Sequence, residues 1–201
     1  MKRLFDLSIG IGLFIVLAPL MLVISTAIVL ESGLPAFYAP EVIGKDGKPF
    51  RFLRFRTMRN QPNLPIQQRL THVGRLIRNV SLDHLPNLFN LIGGDVSIVG
   101  PRPTEPERIE LSDPAWTQIL SVRPGIFSYA ILMLGRDFNQ STQVERNLLE
   151  VEYVERQSFA FDLEIILQSL LGWVNSQGNI KRHGQPRVAI TQHNKEDQSR
   201  S

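Results

Sequence analysis

The reading of this chain turns on Ser81-Leu82-Asp83-His84-Leu85-Pro86-Asn87-Leu88-Phe89-Asn90-Leu91-Ile92-Gly93-Gly94-Asp95-Val96-Ser97-Ile98-Val99-Gly100-Pro101-Arg102-Pro103. Ser81 is a residue type that caps helices. Leu82, Leu85, Leu88, Phe89 and Ile92 recur at helical spacing until Gly93-Gly94 ends the pattern. Pro86 cannot donate to the carbonyl of Leu82, which allows the regular helix to begin only at Pro86. Either start puts Asp83 at or just before a helix N-terminus. That position favours an ionised carboxylate and also attracts phosphate oxygens, and the two can share it if cations screen their repulsion. Simple helix capping is the competing reading of Asp83. Pro101-Arg102-Pro103 closes the block as a rigid turn presenting a cation.

Cations crowd in from upstream. Thr71 to Val80 places Arg75 and Arg78 three apart, on one face if helical, where both can point at the Asp83 block. Further back, Asp46-Gly47 is a two-residue hairpin signal, and Phe50, Phe52 and Phe55 with interleaved arginines predict strands on either side. A ribbon carrying Lys48, Arg54 and Arg56 among aromatics suits phosphate or single-stranded nucleic acid. It equally suits a solvated hairpin whose apolar residues pack inward, and no segment matches a nucleic-acid-binding fold. From Asn60 to Arg69 the Asn, Gln and Pro content predicts a loop or linker.

The N-terminus is the most apolar part. From Leu7 to Leu30 there is no charged residue, a run long enough to span a bilayer as a helix. It is too long for a signal-peptide core, and no small-x-small cleavage site closes it. Lys2 and Arg3 precede it, while Lys45, Lys48, Arg51, Arg54, Arg56 and Arg59 follow, so both flanks have cytoplasmic character. Ala18-Pro19 offers a way out: a break there lets a helix enter the membrane and return on the same side. The residues alone leave this re-entrant helix and a kinked spanning helix both open.

The remainder bounds the answer. With 201 residues the chain can hold one domain with an appendage and a real core. A net charge of +3 suits phosphates, anionic lipid or nucleic acid without choosing among them. The absence of Cys removes disulfides, thiolate nucleophiles and zinc-thiolate sites. Thr104 to Gln118 reads as a loop and helix, Arg123-Pro124-Gly125 as a turn presenting a cation, and Gln143 to Tyr153 as a helix. Phe159 to Val174 is amphipathic and able to meet a membrane interface or the core. Beyond Asn175 the composition predicts a disordered polar tail.

Taken together, Arg75 to Leu91 with Gly94 to Pro103 resembles the bacterial sugar transferase family, the small monotopic phosphoglycosyl transferases. Lys2 to Asp6, the proline-containing apolar helix, Gly47-Lys48-Pro49-Phe50, Arg54 to Met58, Val122 to Ile126 and Tyr153 to Leu167 agree in order, so the resemblance covers roughly residues 1 to 173. It implies an α+β, mostly α fold: a re-entrant proline-broken helix (1–35), a cytoplasmic catalytic domain with amphipathic interfacial helices and a small β-hairpin (36–174), and the polar tail (175–201). It further implies an enzyme of the cytoplasmic face of the bacterial inner membrane. Asp83 attacks the β-phosphorus of a UDP-sugar, UMP leaves, and polyprenol phosphate takes the phosphosugar, initiating an exopolysaccharide, O-antigen or glycoconjugate. Lys48, Arg54, Arg56, Arg75, Arg78, Arg102, Arg123 and Arg136 are the phosphate-binding candidates, and nucleic acid is not expected as a partner. A homodimer or glycan-assembly partners are left open.

The chain also departs from the family pattern. The family follows its nucleophilic aspartate with a glutamate that serves Mg²⁺, and here His84 stands in that place. Imidazole is a poor ligand for that hard ion, which puts the Mg²⁺ expectation in doubt. Asp83 and His84 are the catalytic candidates, and Asp83, His84 and Asp95 the metal-ligand candidates. Phe127 to Gly135 replaces a more polar family run, although Arg136 is kept. A second expectation follows from these losses, that of a catalytically altered or inactive member acting as a membrane scaffold.

Overall fold

A computed structural model describes residues 2–174 apart from residues 60, 62, 64 and 111; the tail expected over 175–201 lies outside them. Helix α1 (Lys2–Ser32) has 31 residues, about 46 Å at 1.5 Å per residue. Asp6, Gly10, Met21, Ile24 and Ile28 are buried along it, and Phe14 and Leu17 pack beside them, so one stripe at spacings of three and four faces the domain. The rest of the helix is bare hydrocarbon: Ile15, Val16, Leu22 and Val23 are 65–70% exposed. That much exposed aliphatic surface calls for lipid rather than water. The helix assignment continues across Ala18 and Pro19, so the expected interruption is not seen there. Leu17 and Met21 pack against the domain on either side of Pro19, which holds the two halves in place.

Both ends of α1 are tied to the same domain. At the start, Asp6 accepts from Ser97 Oγ at 2.7 Å and from the Ile98 N–H at 3.2 Å, on strand β5 (Ser97–Val99). Lys2 Nζ donates to the Val99 carbonyl, to Tyr153 and to Asp162 at 2.7–2.9 Å. Arg3 donates to the carbonyls of Leu91 and Ile92 at the end of α4 (Asn87–Gly93), satisfying acceptors that a helix leaves open. At the far end, Glu31 accepts from the His72 and Val73 N–H groups that open α3 (His72–Asn79). Arg56 donates to the carbonyls of Ser32 and Gly33, just where α1 stops.

The domain is mostly helical, with three two-stranded sheets among the described residues. Strands β1 (Phe37–Tyr38) and β4 (Arg54–Phe55) pair antiparallel, as do β2 (Glu41–Ile43) and β3 (Pro49–Arg51). The expected hairpin is the second of these, but its loop runs from Gly44 to Lys48, with Asp46 and Gly47 at positive φ in its centre. Within the expected linker, Ile66–Arg69 forms a one-turn helix, α2. The chain continues through α5 (Ala115–Ile119), β6 (Gly125–Phe127), α6 (Tyr129–Leu134), α7 (Gln143–Arg156) and α8 (Phe159–Val174). Sequence pattern did not reveal that β5 and β6 pair in parallel. Gly100 and Gly125 permit this approach, since a Cβ on Gly125 would lie 2.0 Å from the Gly100 nitrogen.

One cluster, including Leu88, Leu91, Val96, Val99, Tyr153 and Ile165, fills the space between α4, β5, α7 and α8. A second gathers Met21, Ile24 and Ile28 of α1 with Phe55 and Ile77. Asp6→Ala removes the acceptor of two buried donors between these layers, and is expected to lower stability by about 3 kcal/mol. Thermal unfolding in detergent measures this; an unchanged melting temperature contradicts the anchoring role.

Candidate active site

Asp83 reaches its position through local strain. Ser81 adopts φ 59, ψ 20, the left-handed region, and makes no side-chain capping bond, contrary to the N-cap expectation. A single 3₁₀ turn over Leu82–His84 follows, and α4 begins at Asn87 after Pro86, as the proline's missing donor allows. Asp83 therefore lies outside a helix of only seven residues, which leaves little role for the macrodipole. The carboxylate is buried all the same. Its charge must be balanced by side chains.

Arg54 contributes to that balance, and Arg102 and Arg78 act on the adjacent His84. Arg54, on β4, stacks 4.8 Å over the Phe52 ring, and its buried Nε has no hydrogen-bond partner. Burial and the neighbouring Arg102 lower its pKa, while Asp83 opposes the shift. The His84 imidazole is lowered from its usual range by burial, then by Arg54, Arg102 and Arg78, with Asp83 acting the other way. His84 is thus neutral at pH 7. Its Nε2 stands 3.8 Å from Asp83 Oδ2, and its Nδ1 lies 3.4 Å from Asn87 Nδ2. The arrangement is one carboxylate and a neutral imidazole facing Arg54, Arg78 and Arg102.

The turn that carries Arg102 is built by close packing. Gly100 lies against the backbone of Arg123, Pro124 and Gly125, where a Cβ would come within 2.4 Å of the Arg123 carbonyl. This contact explains why the Gly100-Pro101 and Arg123-Pro124-Gly125 motifs occur together. Arg102 stacks on Phe138 at 5.2 Å, and Arg146 approaches the same ring at 4.8 Å. The Arg102 N–H donates to Glu150. Glu150 escaped the sequence reading; its signal is an acid at the spacing of Asn147 and Tyr153, on the buried stripe of α7.

The other candidates are placed differently. Arg75 is exposed on α3 one turn before Arg78, and Lys48 is exposed at the end of the hairpin loop. Arg56 is committed to the end of α1. Arg123 contributes its carbonyl to the Gly100 contact while its side chain is exposed. Arg136 lies exposed in the 3₁₀ segment Gly135–Asn139. Asp95 follows α4, separated from Asp83 by the length of that helix, and accepts from Asn90 Nδ2 at 3.1 Å. Among the described residues no group of three or more His, Asp or Glu is gathered to hold a metal ion. Asp83, His84 and Asp95 do not form such a cluster, so a protein-built Mg²⁺ cage is a poor fit here.

The sequence profile of the bacterial sugar transferase family matches residues 1–176. The chain belongs to the bacterial sugar transferase family. Among its relatives, the uncharacterised sugar transferase EpsL of Bacillus subtilis (strain 168) is 36% identical over 183 residues, covering 89% of each chain. The exopolysaccharide production protein ExoY of Sinorhizobium fredii (strain NBRC 101917 / NGR234) is 32% identical over 200 residues, with 89% of this chain and 87% of ExoY covered. The UDP-glucose:undecaprenyl-phosphate glucose-1-phosphate transferase of Caulobacter vibrioides (strain ATCC 19089 / CIP 103742 / CB 15) is 32% identical over 181 residues, covering 84% of this chain and 68% of that one.

For this sugar transferase the arginine cradle makes a spectroscopic prediction. In Arg54→Gln the pKa of His84 rises, because a cation that opposes its protonation is gone. An NMR titration of the His84 ring reads the shift; no movement removes Arg54 from the site.

Proposed function

We propose that the protein transfers a phosphosugar from a UDP-sugar to polyprenol phosphate through an aspartyl-phosphosugar intermediate. A carboxylate oxygen of Asp83 attacks the β-phosphorus, the bond to the bridging oxygen breaks, and UMP leaves. A phosphate oxygen of the polyprenol phosphate then attacks the same phosphorus, which frees Asp83 and yields a polyprenyl diphosphosugar. The observation that carries this reading is the buried Asp83 carboxylate with Arg54 acting on it, Arg102 and Arg78 acting on the adjacent His84, and a buried Arg54 donor still unpartnered. Guanidiniums around a carboxylate suit both tasks: they admit a dianionic diphosphate beside an anionic nucleophile and stabilise charge on the transferred phosphoryl oxygens. The names of the relatives from Sinorhizobium and Caulobacter support exopolysaccharide synthesis and an undecaprenyl-phosphate acceptor.

The lipid acceptor accounts for the bare hydrocarbon of α1. A helix crossing the bilayer would carry its ends to opposite faces, whereas both ends of α1 bind one domain. We therefore favour entry and exit on a single face, the cytoplasmic one given its flanking cations. The exposed Leu163, Leu167, Leu170 and Leu171 of α8 add an apolar surface for the same interface. An inactive scaffold is the weaker reading, because the burial of the Asp83 carboxylate and the action of Arg54 on it support transfer.

In this reading Arg54, with Arg102 and Arg78 acting beside it, supplies the neutralisation that a Mg²⁺ held by a second carboxylate would otherwise provide. No step is assigned to a metal. Asp83→Asn is expected to reduce transfer from a radiolabelled UDP-sugar to polyprenol phosphate by at least about 10³-fold. Retained transfer in that variant would sink the nucleophile assignment. His84→Glu supplies a second hard oxygen ligand, and transfer by this variant should rise with added Mg²⁺ more than transfer by the wild type does. A metal titration showing no change would mean that His84 is not the residue limiting Mg²⁺ use.

A further inference from the structure

Glu150 is a buried acid that the transfer chemistry leaves unused. It is 5% exposed, and its Oε1 accepts from the Arg102 N–H at 3.0 Å and from Ser128 Oγ at 2.7 Å. Ser128 in turn caps α6, accepting from the Ile131 N–H. One carboxylate oxygen therefore joins α7, the start of α6 and the turn that carries Arg102. The other oxygen, Oε2, is buried with no partner. A buried carboxylate with half its acceptor capacity unmet is costly.

We propose that Glu150 is a positioning residue: its ionised carboxylate fixes the backbone of Arg102 and so holds that guanidinium in the phosphate cradle, making phosphosugar transfer depend on pH. The inference rests on the transfer reading given above. Charge strengthens both accepted bonds. Protonation weakens them and puts a hydrogen on the unpartnered Oε2, leaving a buried donor unsatisfied. The Arg102 turn then loosens.

The charged surroundings set where this happens. Burial pushes the Glu150 carboxyl up to about 7, while Ser128, the Arg102 N–H and the Arg102 charge pull the other way. Tyr153, one turn along α7, stays a neutral phenol because burial raises its pKa, with Glu150 adding to the effect. Arg146 on α7, with Arg108 and Glu105 from the loop after the turn, acts on Arg102 itself. Because the folded pKa lies above the ordinary 4.5, the folded state loses stability as pH rises from about 4.5 to about 7. Glu150→Gln removes that pH-dependent loss, so the difference in melting temperature between variant and wild type should move in the variant's favour from pH 5 to pH 8.

The test uses the full chain in lipid nanodiscs, following the Arg102 amide by NMR and kcat/KM with a UDP-sugar across pH. In the wild type the Arg102 amide shift titrates near 7, and kcat/KM falls about tenfold from pH 8 to pH 6, as a single required ionisation gives. In Glu150→Gln both responses are flat over that range. Ser128→Ala keeps the Glu150–Arg102 bond but loses a stabiliser of the ionised form, and its midpoint moves upward; this variant serves if Glu150→Gln does not fold. An Arg102 amide that ignores pH, or a pH limb retained in Glu150→Gln, overturns the proposal. Absence of transfer from any UDP-sugar in the wild type would instead refute the transfer reading, and the Arg102 titration would still decide whether Glu150 positions the turn.

Discussion

The structure depends on how an apolar helix is fastened to a water-soluble domain. Helix α1 offers lipid-compatible hydrocarbon on most of its circumference and a narrow stripe to the protein. Weak dispersion contacts along such a stripe do not fix its axial position, because one aliphatic turn packs much like the next. Polar groups fix it instead. Asp6 is locked to Ser97 and Ile98, Lys2 to Asp162 and Tyr153, Arg3 to the last carbonyls of α4, and Glu31 to the first amides of α3. Since α4 follows Asp83 within a few residues, the same bonds set the height of Asp83 relative to whatever surface α1 occupies.

The electrostatics of the site follow from His84. A neutral His84 beside Asp83 leaves a single negative charge there, with Arg54, Arg102 and Arg78 acting on the imidazole. The balance shifts toward anion attraction and away from cation binding. The buried side of the Arg102 turn completes the arrangement: the Gly100–Gly125 contact brings the backbones together, and Glu150 ties the turn to α7.

Much of this was legible in the sequence. Period and boundary residues located α8 from Phe159 to Val174 and the stop of α4 at Gly93-Gly94, and Pro86 foretold the late start of α4. Asp46-Gly47 marked the hairpin, although not the length of its loop. The parallel β5–β6 pair was hidden because its strands have three residues each and lie far apart in the chain. Ser81 misled because a residue type that caps helices also tolerates a tight turn, and φ 59 suits the entry to Asp83 better. Arg56 resembled a phosphate ligand, since no local pattern reveals that its acceptors are carbonyls at the end of α1. The buried stripe of α1 left no trace in a helix apolar all round.

Mass spectrometry of the protein after incubation with a panel of UDP-sugars, without lipid acceptor, tests the central claim most directly. The account predicts a phosphosugar adduct on Asp83 with one or a few donors, discharged when polyprenol phosphate is added. Transfer that proceeds with no adduct at Asp83, or an adduct on another residue, would contradict it.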